Sequence, residues 1–134
     1  MIINTSVWID YFNGYDSWQA NRLTTAIEDN EQIIIPGIVT TEILLGFKTN
    51  AQANKVAELL SAFGNTQDLT QDDYQQAAQI YRTCRTHGIT IRSTIDCLIT
   101  TLCLRDNQEI LSKDRDFSMI AQHFPLTIIQ KFRK

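Results

Sequence analysis

The strongest constraint on this chain is an alternation. Short runs of β-branched residues, each bounded by turn-forming residues, are separated by longer stretches with helical spacing. Ile2-Ile3, Ile33-Ile34-Ile35, Ile110-Leu111 and Leu126 to Ile129 are runs of the first kind, as strands buried on both faces of a parallel sheet are. Residues 17–29, 38–46, 51–63, 71–87 and 94–106 are of the second kind, carrying apolar residues three and four apart, as in Val56, Leu59, Leu60 and Phe63. A weaker strand is expected near Gln67 to Leu69. Strands alternating with helices imply βαβ units, and right-handed crossovers place helices on both faces of the sheet. The expected class is therefore α/β with a central parallel sheet. In such open sheets ligands bind at the carboxyl ends of the strands. Asn4-Thr5-Ser6 after the first run and Lys113-Asp114-Arg115-Asp116 after a late one are thus expected on the same edge.

The chain has 134 residues, no internal repeat and no Pro/Gly/Ser-rich linker, so residues 1–134 are read as a single domain. No segment approaches the roughly 18 uncharged apolar residues of a membrane span, and Met1 to Asp10 has no basic n-region of a secretory signal. A cytoplasmic, membrane-free protein is expected. Cys84, Cys97 and Cys103 are an odd set without a C-x-x-C pair, which points to buried free thiols rather than a disulfide framework or zinc knuckle. His87 and His123 lack metal-ligand spacing and are read as surface or packing residues. Charge is polarised along the chain. Residues 1–81 hold three bases against ten acids, and residues 82–134 hold nine against five, so one half can face a phosphate backbone although the net charge is -3.

Four acids stand out, each with a structural alternative. Glu42 lies four residues from Ile38 and three from Val39, on an apolar helix face where a carboxylate must be paired, protonated or metal-bound if buried; at the margin of that face it simply reaches water. Asp96 opens an apolar helix three residues after Ser93, the spacing of a capping box, which Thr70 and Asp73 share. Asp116 fits an N-cap before Phe117 to Ile120. Asp114 has the weakest structural alternative, between a strand and that helix. Carboxylates converging from separate elements would suit a hard divalent cation and phosphoryl chemistry.

These segments together resemble a known family. Ile3-Asn4-Thr5-Ser6-Val7-Trp8-Ile9 is similar to the opening of the VapC-type PIN domain, a strand ending in Asp-Thr-Ser and running into Val-Trp-Ile. Thr41 to Gly46 resembles its second motif, Thr94 to Ile99 its third, and Lys113-Asp114-Arg115-Asp116-Phe117 its last, Asp-x-Asp-Phe. The resemblance runs in order from residue 2 to about residue 129. It implies a three-layer α/β/α sandwich with a central parallel sheet, and a magnesium- or manganese-dependent endoribonuclease toxin that pairs with a small antitoxin and forms a homodimer. Residue by residue it carries metal binding to Glu42, Asp96 and Asp114, with Asp116 as a helper, contacts with metal or RNA phosphate to Thr5 and Ser6, and a substrate-binding position near the site to Arg85.

The departure is Asn4, at a catalytic and metal-ligand position where the family pattern has Asp. Asn keeps the shape and one carbonyl acceptor but loses the charge, so cation binding and catalysis are expected to weaken while the fold barely notices the difference. An inactivating change in a toxic nuclease accounts for it, as does a non-cutting module that binds RNA or antitoxin; the intact remaining motifs favour the first. A receiver-like signalling domain is the alternative from another class, with Lys113 in its favour and the absence of paired acids after the first strand against it. The RNA is not legible from the residues, and no aromatic-rich stacking platform is evident in the sequence.

Overall fold

Two short apolar runs separated by most of the chain form the centre of the sheet. In the computed structural model, which describes residues 1–131, β1 (Ile2–Ile3) pairs in parallel with β2 (Ile110–Leu111), Ile2 opposite Ile110 and Ile3 opposite Leu111. All four side chains are buried, as the β-branched composition requires for a strand covered on both faces. Single parallel bridges extend the sheet on either side, from Ile2 to Ile34 and Ile34 to Gly64, and from Ile110 to Ile128. The lateral order is therefore Gly64, Ile34, β1, β2, Ile128. The last three positions of the expected domain lie outside the described residues.

The runs at 33–35 and 126–129 lie where expected but pair through isolated bridges. Ile34 donates to Met1 O at 2.9 Å and Ile35 to Gly64 O at 2.8 Å, after which Pro36 has no N–H to extend the ladder. The strand expected at Gln67 to Leu69 does not form; the outermost pairing falls at Gly64.

Among the described residues, seven helices follow the sequence periodicity closely, with one unforeseen. That one, α1 (Thr5–Asn13), begins directly after β1 and ends at Gly14, whose φ of 66° gives a left-handed C-cap. Its N-cap, Asn4, makes no side-chain capping bond, so the usual helix-start signal is absent. The others are α2 (Trp18–Glu28), α3 (Gly37–Leu45), α4 (Asn50–Leu60), α5 (Gln71–Thr86), α6 (Thr94–Arg105) and α7 (Arg115–Ile120). Their principal contacts fall into two groups, α1 with α2 and α3 and α3 with α4, and α5, α6 and α7 with one another. This is the α/β arrangement expected, with helices about a small parallel sheet.

The core joins the two groups through the sheet. Trp8 and Phe117 are its largest fully buried side chains, and the Trp8 ring stacks on Phe12 at 5.9 Å and meets Phe63 edge-on at 5.4 Å. Helix α6 is buried along most of its length. Thr100 and Thr101 satisfy their hydroxyls there by donating to the carbonyls of Asp96 and Cys97, at 2.8 and 2.9 Å. The three cysteines are free and buried, as expected, and the rings of His87 and His123 stack at 3.9 Å, a packing role.

Candidate active site

The sheet reverses its lateral order between β1 and β2, and the carboxyl ends of those two strands open onto the crevice where α/β sheets bind ligands. Asn4 follows β1 and Ser112 follows β2. Because Ile3 is in register with Leu111, these two residues are neighbours, and Asn4 N donates to Leu111 O at 2.9 Å. The Asn4 side chain, only 2% exposed, donates through Nδ2 to Asp114 Oδ2 at 2.9 Å and to Ser112 Oγ at 3.2 Å. Ser112 Oγ also accepts from Asp114 N at 2.9 Å, which fixes the turn between β2 and α7.

The other acids reach this edge from three helices. Glu42 on α3 is half-buried and accepts from Thr5 Oγ1 at 2.7 Å, joining α3 to the first turn of α1. Asp116 in α7, 3% exposed, accepts from Arg92 N at 3.1 Å and from Arg92 Nε at 3.5 Å. Asp96 lies in the first turn of α6, 8% exposed. Its carboxyl is pushed up from the ordinary 3.8 to about 7, first by burial and then by the charges of Asp114, Asp116 and Glu42, with Arg92 opposing. Three acids, Glu42 from α3 and Asp114 and Asp116 from the start of α7, thus act on Asp96 at this edge.

Local structure decides between the alternative roles of these acids. Thr70 and Asp73 form a complete capping box, but Ser93 and Asp96 at the same spacing do not: Ser93 Oγ accepts from Ile95 N instead. Asp116 is not an N-cap. Asp114 holds that position, with no side-chain capping bond, because Asn4 engages its carboxylate. Nor is Asn4 a silent isostere. Its amide supplies two donors that Asp could not, so the expectation that the fold would barely notice an Asp here gives way to one of a direct electrostatic cost.

Among the described residues, no three His, Cys, Asp or Glu side chains are placed to hold one metal ion. The hydrogen bonds give the reason: Glu42 is engaged by Thr5, Asp114 by Asn4 and Asp116 by Arg92. The donor chemistry nevertheless fits a hard divalent cation, since several carboxylates converge on Asp96, whose carboxyl is raised first by burial and then by their charges. Ser6 Oγ is buried beside the cluster and has no hydrogen-bond partner among the described residues.

Arg85 is not among the contacts of this cluster; it is exposed on α5 with its guanidinium 5.8 Å from the centroid of the Tyr81 ring. The cation that does meet the cluster is Arg92, which periodicity could not single out because it lies in the irregular segment before α6. Ser112 was equally invisible, since its role depends on strand register. Lys113 pairs with Asp10 at 2.6 Å and lies over the Tyr15 ring at 4.9 Å, so it braces the loop against α1.

Comparisons with known proteins give the family and the fold. The PIN domain family model matches residues 1–122. The chain is 31% identical over 123 residues to VapC ribonuclease Mb1587 of Mycobacterium bovis and to ribonuclease VapC11 of Mycobacterium tuberculosis, covering 91% of this chain and 92% of each relative. Its fold matches a structure of VapBC2 from Rickettsia felis bound to a promoter DNA fragment, with TM-score 0.73 and 18% identity over 96% of both chains. It likewise matches VapBC-1 from nontypeable Haemophilus influenzae, with TM-score 0.73 and 17% identity over 97% of this chain and 96% of that one. With its switch-point acids, its ordered motifs and a match along most of its length, the chain belongs to the PIN-domain family.

Proposed function

We propose that this protein is a toxin-type endoribonuclease that depends on magnesium or manganese, and that Asn4 holds it in a weakened or inactive form. The observation that carries the reading is the cluster of Glu42, Asp96, Asp114 and Asp116 at the carboxyl edge of the sheet, where burial and then the charges of the other three raise the Asp96 carboxyl. The relatives named as ribonucleases support the nuclease assignment. The acids would hold the cation, with Glu42, Asp96 and Asp114 as ligands and Asp116 assisting. When bound, such an ion lowers the pKa of water and offsets charge on a phosphodiester undergoing in-line attack.

The chain's own residues supply the positioning. Thr5 fixes the Glu42 carboxylate and Ser112 fixes the loop that carries Asp114. Asp116 anchors Arg92, whose side chain is 73% exposed, so its remaining N–H donors can meet a phosphate oxygen. No covalent protein nucleophile is required.

A second reading, a non-cutting module that binds RNA or an antitoxin, is favoured by one contact: the Asn4 amide already occupies Asp114. A receiver-like role has no footing in a PIN-domain chain whose first strand ends in Asn4-Thr5-Ser6. The VapBC structures support a small antitoxin as partner. We further assign a single cytoplasmic domain that forms a homodimer; among the described residues, no helix is long and apolar enough to cross a membrane. The test is to titrate magnesium and manganese into this protein and its Asn4→Asp variant while measuring RNA cleavage. Metal binding and cleavage gained by the variant support the nuclease; metal binding without cleavage across total RNA from the source cell supports the non-cutting module.

A further inference from the structure

Helices α5 and α6 run antiparallel, since Arg105 Nη1 at the end of α6 donates to Asp73 Oδ2 at the start of α5, at 2.7 Å. The C-terminal half of α5 therefore lies beside the first turn of α6, which carries Asp96. Between the two helices is a groove of about 330 Å³, reaching from Tyr74 to Tyr81 and Arg82 on α5 and including Thr94 on α6. Ala77, Ala78 and Cys97 line it between the tyrosines. Tyr74, Ala77, Ala78, Tyr81 and Arg82 recur three and four residues apart and so share one helix face. Seven residues of helix separate the two rings along the axis by roughly 10 Å. Small side chains between two aromatic ones leave an apolar slot suited to a flat ring.

Its charged end is also its active-site end. Arg82 and Thr94 line the groove together, two residues from Asp96, and the Arg85 guanidinium lies over the Tyr81 ring. Neither arginine makes an ion pair among the described residues. We propose that the groove receives an unstacked base of single-stranded RNA, stacked on Tyr81, with the adjoining backbone phosphates on Arg82 and Arg85. The assignment rests on the ribonuclease reading and adds a base-binding subsite to it. Aromatic faces accept any base and unpaired guanidiniums attract the backbone. A second copy of the chain is the rival occupant, and the test separates it from RNA.

The test measures binding of a short single-stranded RNA of mixed sequence to the full chain in EDTA, where binding is separated from cutting. Tyr81→Ala is expected to weaken binding by roughly 5- to 100-fold, the range set by one stacked base. Tyr81→Phe should keep the affinity, and an abasic strand of equal length should bind the protein and Tyr81→Ala alike. Ala78→Leu, at an exposed position, should fill the slot and weaken binding without disturbing the core. Unchanged RNA affinity in both Tyr81→Ala and Ala78→Leu overturns the proposal. So does a shift from dimer to monomer in sedimentation with RNA affinity unchanged, which assigns the groove to a second copy. In an Asn4→Asp background, cleavage with unchanged kcat/KM after Tyr81→Ala dismisses the groove while leaving the nuclease standing; an Asn4→Asp protein that neither binds nor cuts RNA in magnesium sinks both.

Discussion

Replacing Asn4 by Asp exchanges a hydrogen-bond donor for a negative charge against a carboxylate 2.9 Å away, in a site where residue 4 is 2% exposed. The lost bond to a charged acceptor is worth about 1.5–3 kcal/mol. Two unit charges about 4 Å apart repel by roughly 4 kcal/mol at an effective dielectric of about 20. Proton uptake by one of the pair limits that repulsion, at about 1.4 kcal/mol for each pH unit above its pKa. The two contributions sum to roughly 5–7 kcal/mol, an upper limit that proton uptake and side-chain movement lower, so at least about 2 kcal/mol of destabilisation is expected at neutral pH in EDTA. For a chain of this length about 3–5 °C of Tm accompanies each kcal/mol, so thermal unfolding followed by circular dichroism should show a loss of roughly 6 °C or more. The loss should shrink as pH falls, because the folded pair binds more protons than the unfolded chain and stability then decreases with rising pH. Saturating magnesium or manganese should reverse it, by about 2.7 kcal/mol at a hundredfold excess over Kd. Asp114→Asn in the same background should restore the Tm without metal. An Asn4→Asp protein with the parent's Tm in EDTA and no response to metal refutes both the Asn4–Asp114 contact as a stabilising bond and the site as a cation site.

Four further outcomes test neighbouring parts of the site. Asp96→Asn in the Asn4→Asp background should abolish cleavage and leave the fold intact, since no capping box depends on the carboxylate; unchanged cleavage in saturating magnesium would favour a purely structural Asp96. The same substitution in the protein as it stands should flatten the pH dependence of stability between about pH 4 and pH 7. There the raised Asp96 pKa makes the folded state hold the extra proton, so stability falls as pH rises; equal slopes in urea titrations would count against this. Arg92→Ala should reduce the slope of log affinity for RNA against log salt by about one, and an unchanged slope removes Arg92 from the phosphate path. Thr5→Val, which deletes the 2.7 Å bond to Glu42, should weaken metal binding of the Asn4→Asp protein by roughly 10- to 100-fold, as read by calorimetry.

The residues that carry the fold were legible because burial leaves a local periodic mark. Ile2-Ile3 and Ile110-Leu111 can be buried on both faces only in a covered parallel sheet, and the spacing of Val56 and Leu60 or of Ala77, Ile80 and Cys84 shows which face of a helix meets the core. Helix α1 escaped because Asn4 gives up the usual capping bond to engage Asp114 and Ser112, so the local rule yields where the site is built. The candidate acids were legible as motifs, but their roles were not. Ser93/Asp96 and Thr70/Asp73 share one spacing and take different structures, because only Thr70 and Asp73 complete the reciprocal bonds.

By itself the sequence determined the alternation of elements, the two runs that meet in β1 and β2, and the ordered acidic motifs, all of which depend on side chains near one another in the chain. Only the tertiary structure decided that Asn4 lies against Asp114, 110 residues away, that Arg92 rather than Arg85 meets the carboxylates, and that Tyr74 and Tyr81 bound a groove beside Asp96. Those pairings depend on the register of Ile3 with Leu111 and on the antiparallel docking of α5 on α6. Both are set by long-range packing in which no short window of residues contains both partners, so neither the burial and repulsion that raise Asp96 nor the bond that Asn4 makes leaves a local signal.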